Sequence, residues 1–178
     1  MKVLVLNGSA RKNGGTAAMA TAFARGAREA GHEVNVLDIA RMRINGCLGC
    51  EYCHTRGDGE CVQHDDMDAV YPLWDAADVI VVASPVYYGS FSGQMHCLVH
   101  RTYAGDKPKN CKAMALLLCS GAREVYEASE LIYRGFMQGY YGVKDLGIVE
   151  ATTYEALSSG MAAKLEGFGR SLSQLVGR

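Results

Sequence analysis

Short, continuously apolar runs alternate along this chain with longer stretches whose apolar positions recur every three or four residues. Residues 3–6, Val-Leu-Val-Leu, predict a strand buried on both faces, and residues 79–83 and 113–118 repeat that character. Residues 33–37 alternate polar and apolar as an edge strand does, and residues 143–149 read as a last strand. Helical patterns fall between and after them, at residues 16–30, 66–77, 92–103, 124–140 and 159–175. The first is rich in alanine, carries Arg25 and Arg28 near its end and stops at Gly31. Residues 40–65 break the rhythm: four glycines and four cysteines make a mostly irregular segment with room for one short helical turn.

Strand and helix thus alternate five times, which predicts an α/β fold, a doubly wound parallel sheet with helices on both faces. Right-handed crossovers leave few topologies, and the simplest is a five-stranded doubly wound sheet of order 2-1-3-4-5. No repeat, linker or low-complexity tract divides the chain, so residues 1–178 are expected to form one domain with a Cys-rich loop at about 40–65. Ligands of such sheets bind beyond the carboxyl ends of the strands at the switch point. That directs attention to residues 7–15, 84–92 and 119–123.

Composition narrows the partners. The 178 residues are 49% hydrophobic and 21% charged, which excludes disorder, and the net charge of −1 gives nothing for nucleic acid or an anionic membrane to hold. No Lys/Arg run exceeds two residues and no apolar stretch approaches 18, so neither a polybasic patch nor a membrane span is expected. Met1-Lys2 leads into an apolar run too short for a signal segment, and the expected location is the cytoplasm. Seven cysteines in a reducing compartment read as thiols, metal ligands or redox groups rather than a disulfide framework.

The first loop, Gly8-Ser9-Ala10-Arg11-Lys12-Asn13-Gly14-Gly15-Thr16, runs straight into a helix. Free amides and the positive dipole end there favour a phosphate, glycines allow close backbone approach, Ser9 and Thr16 carry hydroxyl donors, and Arg11 adds charge-assisted bonds. The plain alternative is a polar loop that caps the helix through Thr16. Neither the dinucleotide G-x-G-x-x-G nor the P-loop pattern is present. The second loop, Ser84-Pro85-Val86-Tyr87-Tyr88-Gly89-Ser90-Phe91-Ser92, offers an aromatic, constrained wall along which a flat heteroaromatic ring can lie; the two tyrosines could equally just cover the sheet edge. In the third, Cys119-Ser120-Gly121-Ala122-Arg123, Ser120 and Gly121 suit close approach to a planar ligand.

With these loops together, the chain resembles the flavodoxin-like NADPH-dependent FMN reductases, on G-S-A-R-K-N-G-G-T at 8–16 and P-V-Y-Y-G-S-F-S at 85–92. The resemblance implies that Ser9, Arg11, Gly15 and Thr16, with the adjoining Ala17, hold the FMN phosphate. It implies that Pro85, Val86, Tyr87, Tyr88, Gly89, Ser120 and Gly121 cradle the isoalloxazine. One position departs: the family often has Asn where Gly15 stands.

Cys47, Cys50 and Cys53 follow C-x2-C-x2-C, Cys61 comes after seven more residues, and Asp65-Asp66-Met67 is just beyond. Such spacing lets thiolates converge on one centre, as in compact iron–sulfur motifs. Zinc uses four thiolates too, but usually as two separated C-x2-C pairs, and a loop of free or redox thiols is the bland reading. Read with the flavin motifs, this part resembles the iron–sulfur flavoproteins, a branch of the same family; that implies a 4Fe–4S cluster on Cys47, Cys50, Cys53 and Cys61 exchanging electrons with FMN. Cys97, Cys111 and Cys119 read as core residues. His96 and His100 share one helix face without a third ligand nearby, and His54 and His64 flank the cysteine loop, where either could hydrogen-bond a sulfur or stand in solvent.

Since FMN carries its own redox chemistry, no general acid or base is sought. The expected protein is an oxidoreductase that passes electrons from NAD(P)H or a partner protein to a quinone, a nitro compound, a flavin or another redox protein. An iron–sulfur flavoprotein carrier with no substrate of its own is the second expectation, and a non-redox anion-binding module with structural zinc the third. The resemblance also implies a homodimer or higher homo-oligomer.

Overall fold

In the computed structural model, which describes residues 1–177, the chain opens with β1 (Lys2–Asn7), α1 (Gly15–Glu29) and β2 (Glu33–Asp38). A short α2 (Tyr52–Thr55) interrupts the cysteine segment, and α3 (Met67–Ala76) leads into β3 (Val79–Tyr87). A two-residue β4 (Ser90–Phe91) precedes α4 (Gly93–Arg101) and β5 (Ala113–Ser120). After α5 (Glu127–Tyr133) and α6 (Gly139–Tyr141) come β6 (Lys144–Thr152), α7 (Thr153–Ala156), α8 (Ser159–Arg170) and α9 (Leu172–Val176).

Five strands pair in parallel in the order β2-β1-β3-β5-β6, the winding expected from the alternation, with β2 at one edge. The period-2 pleat divides the central strands between two cores. Val3, Val5, Val79, Val81, Ala83, Ala115 and Leu117 face α1 and α8 on one side. Leu4, Leu6, Ile80, Val82, Met114, Leu116 and Leu118 face α3, α4 and α5 on the other. On the first face α1 and α8 lie backbone to backbone: a Cβ at Gly26 would stand 2.0 Å from the Glu166 carbonyl oxygen, so only glycine fits that crossing.

Several boundaries differ from the sequence reading, each for a local reason. β3 does not end at Ala83; its pairing with β5 continues through Ser84 and Pro85, and the chain then folds back into β4. Tyr88 and Gly89 form the two-residue turn with φ of 51° and 76°, the positive pair that a tight hairpin requires. The first helix starts at Gly15, so Thr16 lies inside it and Gly14 occupies the cap position. The pattern at 124–140 is split by a π-helical turn over Arg134–Gln138. That at 159–175 breaks at Ser171, whose hydroxyl donates to the Phe168 carbonyl at 2.9 Å and competes with the helical ladder. Among the described residues no helix is long and apolar enough to cross a membrane.

Candidate functional site

A cleft of about 270 Å³ opens at the carboxyl ends of β1, β3 and β5, where the topology places a ligand. It is lined by Ser9, Arg11, Gly14, Gly15 and Thr16 from the first loop, Pro85, Val86 and Tyr87 from the end of β3, and Cys119, Ser120, Gly121 and Thr153. Nine of the twelve positions singled out for FMN therefore border one cavity. The other three do not. Ala17 is buried outside the cleft's lining, and Tyr88 and Gly89 form the hairpin tip, with Tyr88 wholly in solvent.

The floor of the cleft is the first turn of α1. Its leading amides have no intrahelical acceptor, and no side chain caps them. The backbone around it is held by a chain of short contacts. The Ser9 amide donates to Asn7 Oδ1 at 3.1 Å, and Asn7 Nδ2 donates to Asp38 Oδ1 at 2.9 Å, which ties the loop to β2. Ser9 Oγ donates to the Arg11 carbonyl at 2.9 Å. Ser92 Oγ donates to the Gly8 carbonyl at 3.2 Å, and the Ser92 amide to Ser84 Oγ at 3.0 Å, so the first and second loops are stitched together under the cleft.

Gly15 shows why this position carries no side chain. An added Cβ would stand 2.5 Å from Cys119 Sγ and 2.9 Å from Ala156 Cβ. No larger side chain finds room at this position. Cys119 is buried against the same turn; burial pushes its thiol up, opposed by hydrogen bonds involving Thr153 and Thr16. Gly14, Cys119 and Thr153 were not singled out from the sequence. Thr153 follows β6, and the signal for it is Thr152-x-x-Glu155, a capping box in which Thr152 Oγ1 accepts from the Glu155 amide at 3.3 Å and Glu155 accepts from the Thr152 amide at 2.8 Å. Cys119 opens the third loop, but the sequence reads it as a core residue.

The second locus is the cysteine segment. Cys47, Cys50, Cys53 and Cys61 all line one small recess together with Leu48, Arg101 and Tyr103. All seven cysteines are free thiols, and no trio of His, Cys, Asp or Glu side chains among the described residues is drawn together closely enough to hold a metal ion. Burial, then the neighbouring Cys61, Cys47 and Glu51, push the Cys53 thiol up. The end of α4 anchors the segment. Tyr103 Oη donates to both carboxylate oxygens of Glu51, at 3.1 and 3.0 Å, and the His54 ring packs edge-on to Tyr103 at 4.4 Å with Nε2 3.0 Å from the Tyr103 carbonyl. His54 is thus committed to backbone, and exposed His64 pairs with Asp68 at 3.2 Å; neither hydrogen-bonds a cysteine sulfur. His96 bonds Ser90 Oγ at 2.8 Å and stacks near His100, which leaves the pair as a surface feature of α4.

The strand order, with a cleft at the carboxyl edge of the sheet beside an uncapped helix turn, defines a flavodoxin-like fold. The chain belongs to the NADPH-dependent FMN reductase family, whose model matches residues 1–141. Among curated relatives, an iron-sulfur flavoprotein of Archaeoglobus fulgidus is 39% identical over 101 residues, covering 57% of this chain and 45% of the relative. Another iron-sulfur flavoprotein of that organism is 32% identical over 138 residues, 74% of this chain and 67% of the relative. The matched part spans about half the length of the first of these relatives. In three dimensions the chain is similar to an NAD(P)H:quinone oxidoreductase from Methanothermobacter marburgensis, with a TM-score of 0.74 at 18% identity over 97% of this chain and 96% of that one; this is a likeness of fold.

Proposed function

We propose that this protein binds FMN in the cleft and works as an FMN-dependent oxidoreductase, taking electrons from NAD(P)H or a redox protein and passing them to a quinone, a flavin or another small acceptor. One observation carries the reading: a single cavity joins the uncapped first turn of α1, beside Ser9 and Arg11, to the wall formed by Pro85, Val86 and Tyr87. A phosphate suits the first half and a flat ring the second. When bound, FMN supplies the hydride and electron chemistry, and the residues supply its orientation and the electrostatics around it. The exposed rings of Tyr88 and Tyr154 adjoin cleft residues Tyr87 and Thr153 in the chain, and a second copy covering that rim is the assembly we propose.

Titration of the flavin-free protein tests this. FMN should bind at least about tenfold more tightly than riboflavin, since charge-assisted bonds to a phosphate are worth about 1.5–3 kcal/mol. Bleaching of the bound flavin's visible band by NADPH or NADH identifies a reductase. Reduction by a ferredoxin-type donor alone identifies a carrier.

The carrier reading is favoured by the recess that all four clustered cysteines share with Arg101, a buried guanidinium one of whose nitrogens lacks a hydrogen-bond partner among the described residues. Four thiols and one cation suit an anionic iron–sulfur cluster, which Cys47, Cys50, Cys53 and Cys61 would hold after the loop draws them inward. When bound, it would supply one-electron exchange with the flavin. Iron and acid-labile sulfide assays after anaerobic reconstitution test it, and stoichiometric zinc in colourless protein would replace it with a structural site.

A further inference from the structure

No residue from 45 to 66 belongs to either apolar core, so burial of hydrophobic surface does not hold the cysteine segment in place. Its anchor is Arg101, the last residue of α4, whose side chain is 1% exposed. Arg101 Nη1 donates to Asp65 Oδ2 at 2.7 Å and to the Asn45 carbonyl at 3.2 Å, and Nη2 donates to the Gln63 carbonyl at 3.1 Å. Asn45 lies two residues before Cys47 and Gln63 two after Cys61, so one guanidinium clasps both ends of the four-cysteine loop. Asp65 completes the clasp, accepting from the Asn45 amide at 3.0 Å and, through its other oxygen, from the Met67 amide at 3.0 Å.

One donor is left over. Arg101 Nε is buried and has no partner among the described residues, although a guanidinium out of water normally satisfies its N–H groups. Arg101 also lines the recess that the four cysteines border. Burial is the largest single influence and opposes its charge, yet the Asp65 hydrogen bond, Tyr71 and Cys61 together outweigh that cost. A permanent cation lining the recess of four thiols, with one N–H unused, leaves room for an acceptor with negative charge.

We propose that Arg101 is a positioning residue for the cysteine segment: it sets the two ends of the loop and presents its free Nε–H and its charge to the sulfur atoms of a bound iron–sulfur cluster. This rests on the cluster reading given above. The charge favours the reduced, more negative state of such a centre, and the clasp favours its retention.

The test uses the whole chain, reconstituted anaerobically with iron and sulfide, as wild type, R101K and the paired variant R101Q/D65N. The pair removes both charges and leaves no buried carboxylate unmatched. Three readouts are taken: iron loss to a chelator, cluster midpoint potential by dye-mediated titration, and FMN affinity. R101Q/D65N should lose iron at least about tenfold faster and show a more negative potential, with FMN affinity unchanged. R101K keeps the charge without the planar fork, and should lose iron faster with a smaller change in potential. Wild-type loading with iron retention and potential identical in all three proteins overturns the role of Arg101 and leaves the cluster reading standing. FMN binding lost in step with iron in R101K overturns it too, because that marks a general packing role. Wild-type protein that takes up no iron overturns the cluster reading and this inference together.

Discussion

The cleft at the sheet edge and the cysteine recess lie on one fold but are fixed by different forces. The cleft's walls continue strands whose inward side chains are core: β3 and β5 are buried almost to their last residues, so Pro85, Val86, Ser120 and Gly121 are placed by the sheet itself. The recess is carried by a segment with no core residue from 45 to 66, and its position depends on the Arg101–Asp65 pair and the Tyr103–Glu51 bond. Apolar burial is spread over many contacts and tolerates single losses. A buried ion pair concentrates its contribution in two residues, and removal of either partner leaves the other uncompensated. A rigid cleft suits a cofactor that binds a preformed surface, whereas a loop clasped at its ends is able to close around a centre assembled within it.

The comparison breaks most sharply at Arg101. R101M leaves Asp65 buried without its cation and should destabilise the clasp by about 3–5 kcal/mol. Hydrogen exchange should show that loss as fast exchange across residues 43–67, with β1, β3 and β5 still protected; equal loss of protection in both regions would show that the two are one cooperative unit.

A Gly15→Ala variant probes the rigid side. Its Cβ meets Cys119 Sγ and Ala156 Cβ, contacts that must open before the first turn of α1 can close. The expected cost is about 1–3 kcal/mol in chemical denaturation, together with weakened FMN binding and an unaltered cysteine segment. Arg11→Gln should be milder for folding, since Arg11 is exposed, and should lower FMN affinity about ten- to hundredfold while riboflavin affinity stays the same.

The smallest effect is expected at a carboxyl that lines neither locus. The Glu150 carboxyl is held up at about 7 by its hydrogen bond with Glu130, then by burial and the Glu130 charge. A carboxyl whose folded value is raised contributes stability that is complete below its ordinary range and is lost as pH rises through about 7. E150Q should therefore melt higher than wild type at pH 8 and show no such gain at pH 5. A thermal melt series across that window reads the difference, which should leave cleft and recess alike.

Much of the cleft was legible because it uses local signals. An apolar run ending at Asn7-Gly8-Ser9 and a glycine pair at a helix start mark a strand–loop–helix turn from sequence alone, and alternation of such units dictates where the loops gather. Ala17, Tyr88 and Gly89 came in with the motifs that carry the family resemblance, yet Ala17 is buried outside the cleft's lining and the hairpin leaves Tyr88 wholly exposed. Adjacency in sequence does not settle direction once a helix or a two-residue turn intervenes. Cys119 and Thr153 come from separate strand ends, and nothing near either residue announces that they meet α1.

The order of strands, the two-sided core and the phosphate-favouring helix start were written in the sequence, since periodicity, glycine placement and burial pattern are properties of neighbouring residues. The tertiary structure alone decided that Gly15 must lack a side chain and that Arg101 reaches across from α4 to clasp a loop beginning 56 residues earlier at Asn45. Those outcomes depend on which distant atoms the fold brings within contact distance, and no local pattern carries that information.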